Sequence, residues 1–256
     1  MFDFKCAVQV QLDNLWLKPE DMARGLDVRV SSVRNWLDPD AENMPPKEAF
    51  DWLYDQSEML GDLTMERLNQ VYEAHTKFGQ YILRWYRLED MNEDEPVGLQ
   101  NLATKLVVDQ LKDKGIECSI VFACRDDEWI EQNLDCIPEI DPKAAFASKM
   151  ESLGVPPFEI ALALGITPRS VKDWKKPSHT KVMPIDDAWD FLDEYAVALD
   201  GRTEQLLEQR PNPMPYHPLM RLGKLTQQDR IDNKAALLAS KKIMDEENTI
   251  VDFAYI

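Results

Sequence analysis

The 256-residue chain carries 47 acidic against 29 basic side chains, a net charge of −18, and 44% of it is apolar. That apolar share excludes wholesale disorder, the length leaves room for two domains that each bury a core, and no apolar run approaches the roughly 20 residues of a membrane span. A chain this acidic is repelled by phosphate at long range, so nucleic-acid binding would need a locally basic docking face.

The opening MFDFKCAVQV has no basic region ahead of an apolar core, so no secretory signal is expected and the compartment is read as cytoplasmic. Residues 2–15 carry two readings. Val8, Val10 and Leu12 alternate as in a strand, whereas Phe4, Val8, Leu12 and Leu15 share one helical face. The matching stretch in the second half, 144–153 (AAFASKMESL), reads as a helix, which decides for helix in both. Residues 19–26 and 30–37 follow as short second and third helices. A polar loop closed by Met44-Pro45 leads into an amphipathic helix over 45–60, with Phe50, Leu53, Tyr54 and Leu60 on its core face. A further helix is predicted over 64–88 from its aromatic row, Tyr72, Phe78, Tyr81, Trp85 and Tyr86. Residues 102–114 read as an amphipathic helix and 116–124 (IECSIVFAC) as a strand. The acidic stretch 125–142, with Pro138 and Pro142, is the expected crossover.

The second half repeats this order about 138 residues later. Ile160, Ala161 and Leu164 mark a helix over 157–164, and Gly165 falls where its end needs a residue tolerant of positive φ. Thr167 is suited to cap the next helix, 168–175, and Pro168 fits its first turn. Val171 and Trp174 then face inward. Residues 184–199 match 45–60, with Trp189, Leu192 and Leu199 on the core face. The counterpart of the aromatic helix is cut short by Pro211, Pro213, Pro215 and Pro218. Residues 235–246 read as a helix and 249–256 (TIVDFAYI) as a strand.

The two halves align with one inserted residue. Pro19 pairs with Pro157, Ala23 with Ala161, Ser32 with Ser170, Val33 with Val171, Trp36 with Trp174 and Pro39 with Pro177. Beyond the insertion, Met44-Pro45 pairs with Met183-Pro184, Ala49 with Ala188 and Leu53 with Leu192. Two copies of one domain are inferred, 1–125 and 144–256, with a linker over 126–143. A lone strand leaves its backbone groups unpaired, so the two terminal strands are expected to pair with each other in one small sheet. The fold class is mainly α.

Third helix, Trp, polar loop, Met-Pro and long amphipathic helix, with SVKDW at 170–174 carrying the match, resemble the lambda-repressor-like (Cro/C1-type) helix-turn-helix. With the terminal helix and strand, each half is similar to one subunit of the YdiL-like and anti-CRISPR-associated repressors, which are dimers. The loops after the Trp, Leu37-Asp38-Pro39 and Lys175-Lys176-Pro177, depart from the usual Glu and Gly. The resemblance implies a single-chain version of a two-chain repressor. Its third helices would sit about 34 Å apart, one DNA turn, and read an imperfect inverted repeat.

Carried onto this sequence, the base- or phosphate-contacting positions are Arg169, Ser170, Lys172 and Asp173 in copy two and Ser31, Ser32, Arg34 and Asn35 in copy one. Lys175, Lys176 and Lys181, with His179, are placed as phosphate clamps, and Arg29 precedes the first copy's helix. Residues 167–181 carry a local charge of +4, whereas 29–43 carry −1, so the copies are expected to bind unequally. Trp36 and Trp174 are read as core anchors, and the aromatic row as core before a platform for single-stranded bases.

Cys6, Cys118, Cys124 and Cys136 form no C-x-x-C pair and are read as buried free thiols, Cys118 and Cys124 on one strand face. His75, His179 and His217 lack ligand spacing, and no glycine-rich phosphate loop is present. Neither an enzyme nor a cofactor, metal or small-molecule ligand is expected. The partner expected is double-stranded DNA, with a homodimer of the whole chain as a further expectation. The alternative reading, motivated by the net charge and the acidic first loop, is a protein-interaction module or DNA mimic built on the same scaffold.

Overall fold

The computed structural model describes residues 3–91, 95–136, 140–218 and 225–256, with the side chain of Cys136 excepted. Pro138, expected in the crossover, lies outside the described residues. The chain is mainly helical, with eleven α-helices and two small two-stranded sheets among those residues. In order these are α1 (Phe4–Asn14), α2 (Pro19–Gly25), α3 (Val30–Leu37), α4 (Lys47–Phe78), β1 (Ile82–Trp85), α5 (Val97–Asp113), β2 (Ser119–Phe122), α6 (Asp127–Asn133), α7 (Pro142–Leu153), α8 (Pro157–Ala163), α9 (Pro168–Trp174), α10 (Asp186–Gln209), β3 (Met214–Tyr216), α11 (Gln227–Glu247) and β4 (Phe253–Tyr255). No helix among them is long and apolar enough to cross a membrane.

The strand pairing differs from the expectation. β2 pairs in parallel with β1 (Leu83 opposite Ile120, Trp85 opposite Phe122), and β4 pairs in parallel with β3 (Tyr216 opposite Tyr255). The terminal strands therefore do not pair with each other; each has a partner that sequence reading missed. The cause of the miss is the predicted helix 64–88. Its first part continues the preceding helix without a break, so α4 is a single 32-residue helix. It stops at Phe78 because Gly79 adopts φ 70°, and Ile82 to Trp85 then form β1. The other missed partner, β3, is three residues long and lies among prolines, with Pro215 at its centre. The expected crossover is partly helical, as α6.

The chain divides into two compact units, Met1–Gln56 with Asp193–Ile256, and Ser57–Leu192. Each takes its three short helices from one half of the sequence and its sheet and terminal helix from the other. The expected boundaries, 1–125 and 144–256, follow the chain; these units follow contacts.

In the unit that holds α1–α3, Val8, Leu12, Met22, Val33 and Leu37 are buried, and so is Tyr216 of β3. The Tyr216 hydroxyl donates to Asp13, and the Tyr255 hydroxyl donates to Gln9 Oε1 (2.7 Å), with the Leu37 carbonyl oxygen 3.1 Å away. Asn233 of α11 spans the His217 backbone, accepting from its N–H (2.7 Å) and donating to its carbonyl (2.9 Å). In the unit that holds α7–α9, Phe146 packs edge-on against Trp174 and Trp189, at 5.8 and 5.2 Å. Val71, Leu83, Val107 and Leu111 form a second cluster. Asn101 of α5 spans the Tyr86 backbone at 2.8 and 3.0 Å, as Asn233 spans His217.

Candidate nucleic-acid interface

α9 begins where the sequence places it. Gly165 turns the chain at φ 64°, Pro168 occupies the first helical position, and the Thr167 hydroxyl accepts from the Ser170 N–H at 3.2 Å. Val171 and Trp174 are buried, which leaves the other face to solvent. The Arg169 side chain is 90% exposed and approaches Asp173 only at 4.0 Å. Lys172 is exposed and makes no ion pair among the described residues. Lys181 is exposed in the following loop.

Four expected contact residues, Ser170, Lys175, Asp173 and Lys176, are engaged within the protein. The Ser170 hydroxyl lies 3.0 Å from that of Thr167, at the helix start. Lys175 turns back, its Nζ 2.6 Å from Glu151 of α7. Asp173 receives Lys176 at 2.8 Å and faces His179 Nδ1 at 3.5 Å. The Lys176 hydrogen bond holds the Asp173 carboxyl below the usual range. The cations left on the surface without a close carboxylate among the described residues are Arg169, Lys172 and Lys181, while Lys176 is exposed but paired with Asp173.

α3 differs in charge and in capping. Arg29 stands at its N-cap and makes no side-chain cap bond, unlike Thr167. Ser31 and Asn35 are exposed and Ser32 is half-buried. Arg34 is held by Glu20 of α2, 2.7 Å from its carboxylate. Burial pushes the Glu20 carboxyl up, but its backbone hydrogen bond and Arg34 outweigh this and lower it. The position that matches Glu20 in the second half is Phe158, so Lys172 meets no corresponding acid. The two sets of expected residues fall in separate units.

Sequence reading missed one pair of residues. Lys143, second in α7, is 3% exposed, and its ammonium donates to the carbonyls of Asp173 (3.5 Å), Lys176 (2.8 Å) and His179 (2.6 Å). Lys5 is similarly hidden in α1 and donates to the carbonyls of Asp38 (2.7 Å) and Ala41. Each follows an N-cap aspartate by two residues, Asp3 or Asp141. The signal was present: Asp-x-Lys recurs at the same offset as the matched prolines, but the recognised match started only at Pro19.

Other candidates resolve differently. Trp174 is buried and Trp36 half-buried. The aromatic row is divided: Tyr81 stacks on His75 at 4.1 Å, Trp85 is buried in β1, and Arg67 covers the Tyr86 ring at 4.6 Å. It offers no continuous stacking surface. Cys6 is buried and its thiol is pushed up by desolvation, while Cys118 is half-buried and pushed up to about 11 by the same cause. Cys124 lies beyond β2 and is exposed, contrary to the buried strand position expected. No group of three His, Cys, Asp or Glu able to hold a metal occurs among the described residues. A cavity of about 620 Å³ is lined by Phe78, Ile82, Tyr86 and Ile130, by Lys77 and Arg84 paired with Asp127, and by Arg125.

Comparison with protein-family models, with curated proteins and with solved structures gave no match to this chain.

Proposed function

We propose that the chain is a sequence-specific, double-stranded DNA-binding transcriptional regulator, a repressor, with two helix-turn-helix units of the lambda-repressor-like kind. α1–α3 form one unit and α7–α9 the other, and α3 and α9 are the reading helices. The observation that carries this reading is the exposed basic face of α9. Val171 and Trp174 anchor one side of a capped helix, while Arg169, Lys172 and the loop cations Lys176 and Lys181 stand on the surface of an otherwise acidic protein. Arg169 and Lys172 have the donors for guanine O6 and N7 or for phosphate, and Asn35 of α3 for adenine N6 and N7. The two units read unequal half-sites, because Glu20 occupies Arg34 while Lys172 makes no ion pair among the described residues. Repression follows from occupying a promoter.

One observation favours a second reading. The loop after α3 is acidic, with Asp38, Asp40 and Glu42, and Arg34 is paired with Glu20, which suits a unit that mimics DNA toward a basic partner. Selection of bound duplexes from a random library, with the mass of the complex measured, separates the two readings. Enrichment of one motif, with single-chain or dimeric stoichiometry, is expected. Absence of any enriched duplex, together with co-purification of a basic protein, would favour the mimic.

A further inference from the structure

We propose that Lys143 is the positioning residue of the DNA-contacting loop, its ammonium gathering the backbone carbonyls of Asp173, Lys176 and His179 so that Lys172, Lys176 and Lys181 stand in place before DNA arrives; the proposal rests on the DNA-binding reading above. An ammonium has three donors, and all three are used here. The Asp173 carbonyl belongs to the last turn of α9, where a cation is favoured. It also accepts from the Lys176 N–H at 3.1 Å, as the Lys176 carbonyl accepts from the His179 N–H at 3.1 Å, so Lys143 adds a second donor to carbonyls that already shape the turn. The Lys176 and His179 carbonyls belong to the loop, so one side chain ties the helix end to the chain that follows it. A lysine this deeply buried is retained only when paired and hydrogen-bonded. Burial pulls its pKa down and Asp141 opposes that pull.

The arrangement is not peculiar to one loop. Lys5 meets the carbonyls of Asp38 and Ala41, which hold the places of Lys176 and His179 in the aligned sequence. Where the first loop offers Asp40 and Glu42, the second offers Lys176 and Lys181. Lys143 is too buried to meet a phosphate, so any effect it has on DNA binding is transmitted through the loop.

The test uses the full chain with Lys143→Met, which keeps the length and apolar stem while removing the donors. In the free protein, amide exchange over residues 175–181 should quicken by about tenfold or more, while the rest of α7–α9 is unchanged. Affinity for the selected duplex should fall by about tenfold or more. The slope of log affinity against log salt should drop by the equivalent of about two or more phosphates, although only one buried charge has gone. Lys143→Arg should bring both binding readouts back to within about threefold of the wild type. Unaltered exchange overturns the proposal, and so does a loosened loop with unaltered affinity and slope. Should Lys143→Met fail to fold, exchange in the wild type decides: protection of residues 175–181 at about tenfold above coil is required, and coil-like exchange overturns it. A wild-type chain that binds no duplex overturns the DNA reading and this proposal with it, whereas loosening without loss of binding overturns the proposal alone.

Discussion

Two carboxylates set which cations each third helix offers. Asp173 is occupied by Lys176 and leaves Arg169 and Lys172 outward, whereas Glu20 takes up Arg34. Arg169→Ala with Lys172→Ala should therefore weaken duplex binding by about ten- to a hundredfold, the worth of one or two base contacts. Arg34→Ala with Ser31→Ala should cost less than about threefold. Equal losses in a titration would refute the asymmetry. The converse change, Glu20→Gln, should free Arg34 and tighten binding by a few-fold, and unchanged affinity would mean that the pair has no bearing on DNA. A third carboxylate bears on stability. Burial raises the Asp13 carboxyl to about 6, against the pull of the Tyr216 hydroxyl, Lys234 and Gln9. An acid raised in the folded state binds its proton more readily there. Its charge therefore costs most above about pH 6, and that cost is relieved as pH falls toward about 4. Asn keeps an acceptor for Tyr216, so Asp13→Asn should melt higher than the wild type near pH 7.5 and lose that advantage below about pH 5. A difference in melting temperature that does not vary with pH would refute this.

Helix termini show how closely local chemistry was legible. Thr167, Pro168 and Gly165 marked α9 to within a residue, because caps and turns depend on side chains adjacent in sequence. Gly165 has φ 64°, and a Cβ there would meet nothing within 4 Å, so Gly165→Ala should lose only the strain of the left-handed backbone, about 1–2 kcal/mol in thermal unfolding. The matching turn uses Asp27 at φ 52°, where Asp27→Gly should be neutral or stabilise by up to about 1 kcal/mol. The reverse order of effects would mean that the two turns are not comparable. The join between the first and second short helices follows the same pattern, with Trp16 at φ 55° where the second half has Gly154 at 72°. Strands were the least legible elements. β1 and β3 are four and three residues long, too short for alternation to register, and the aromatic row that includes Trp85 imitates a helical face. The roles of Lys5 and Lys143 were hidden for another reason. Their acceptors are carbonyls some thirty or more residues away, and a backbone carbonyl leaves no mark in a sequence.

At the scale of the molecule, a net charge of −18 coexists with a basic surface on α9 and its loop. Each compact unit combines short helices from one half of the sequence with a sheet from the other, and α4 and α10 each begin in one unit and end in the other. Severing the chain between halves should therefore leave neither unit with its own core, which is why the intact chain is the object to test. Phosphate contacts at the α9 face release counterions, so affinity should fall steeply as salt rises through the physiological range, even though the same salt screens the repulsion of phosphate by the chain's net negative charge. The most direct test of the DNA-binding reading is competition at physiological salt between the duplex selected by this chain and a scrambled duplex of equal length. The reading predicts that the selected duplex binds about a thousandfold or more tightly. Equal affinity for the two, or no binding to either, would contradict it.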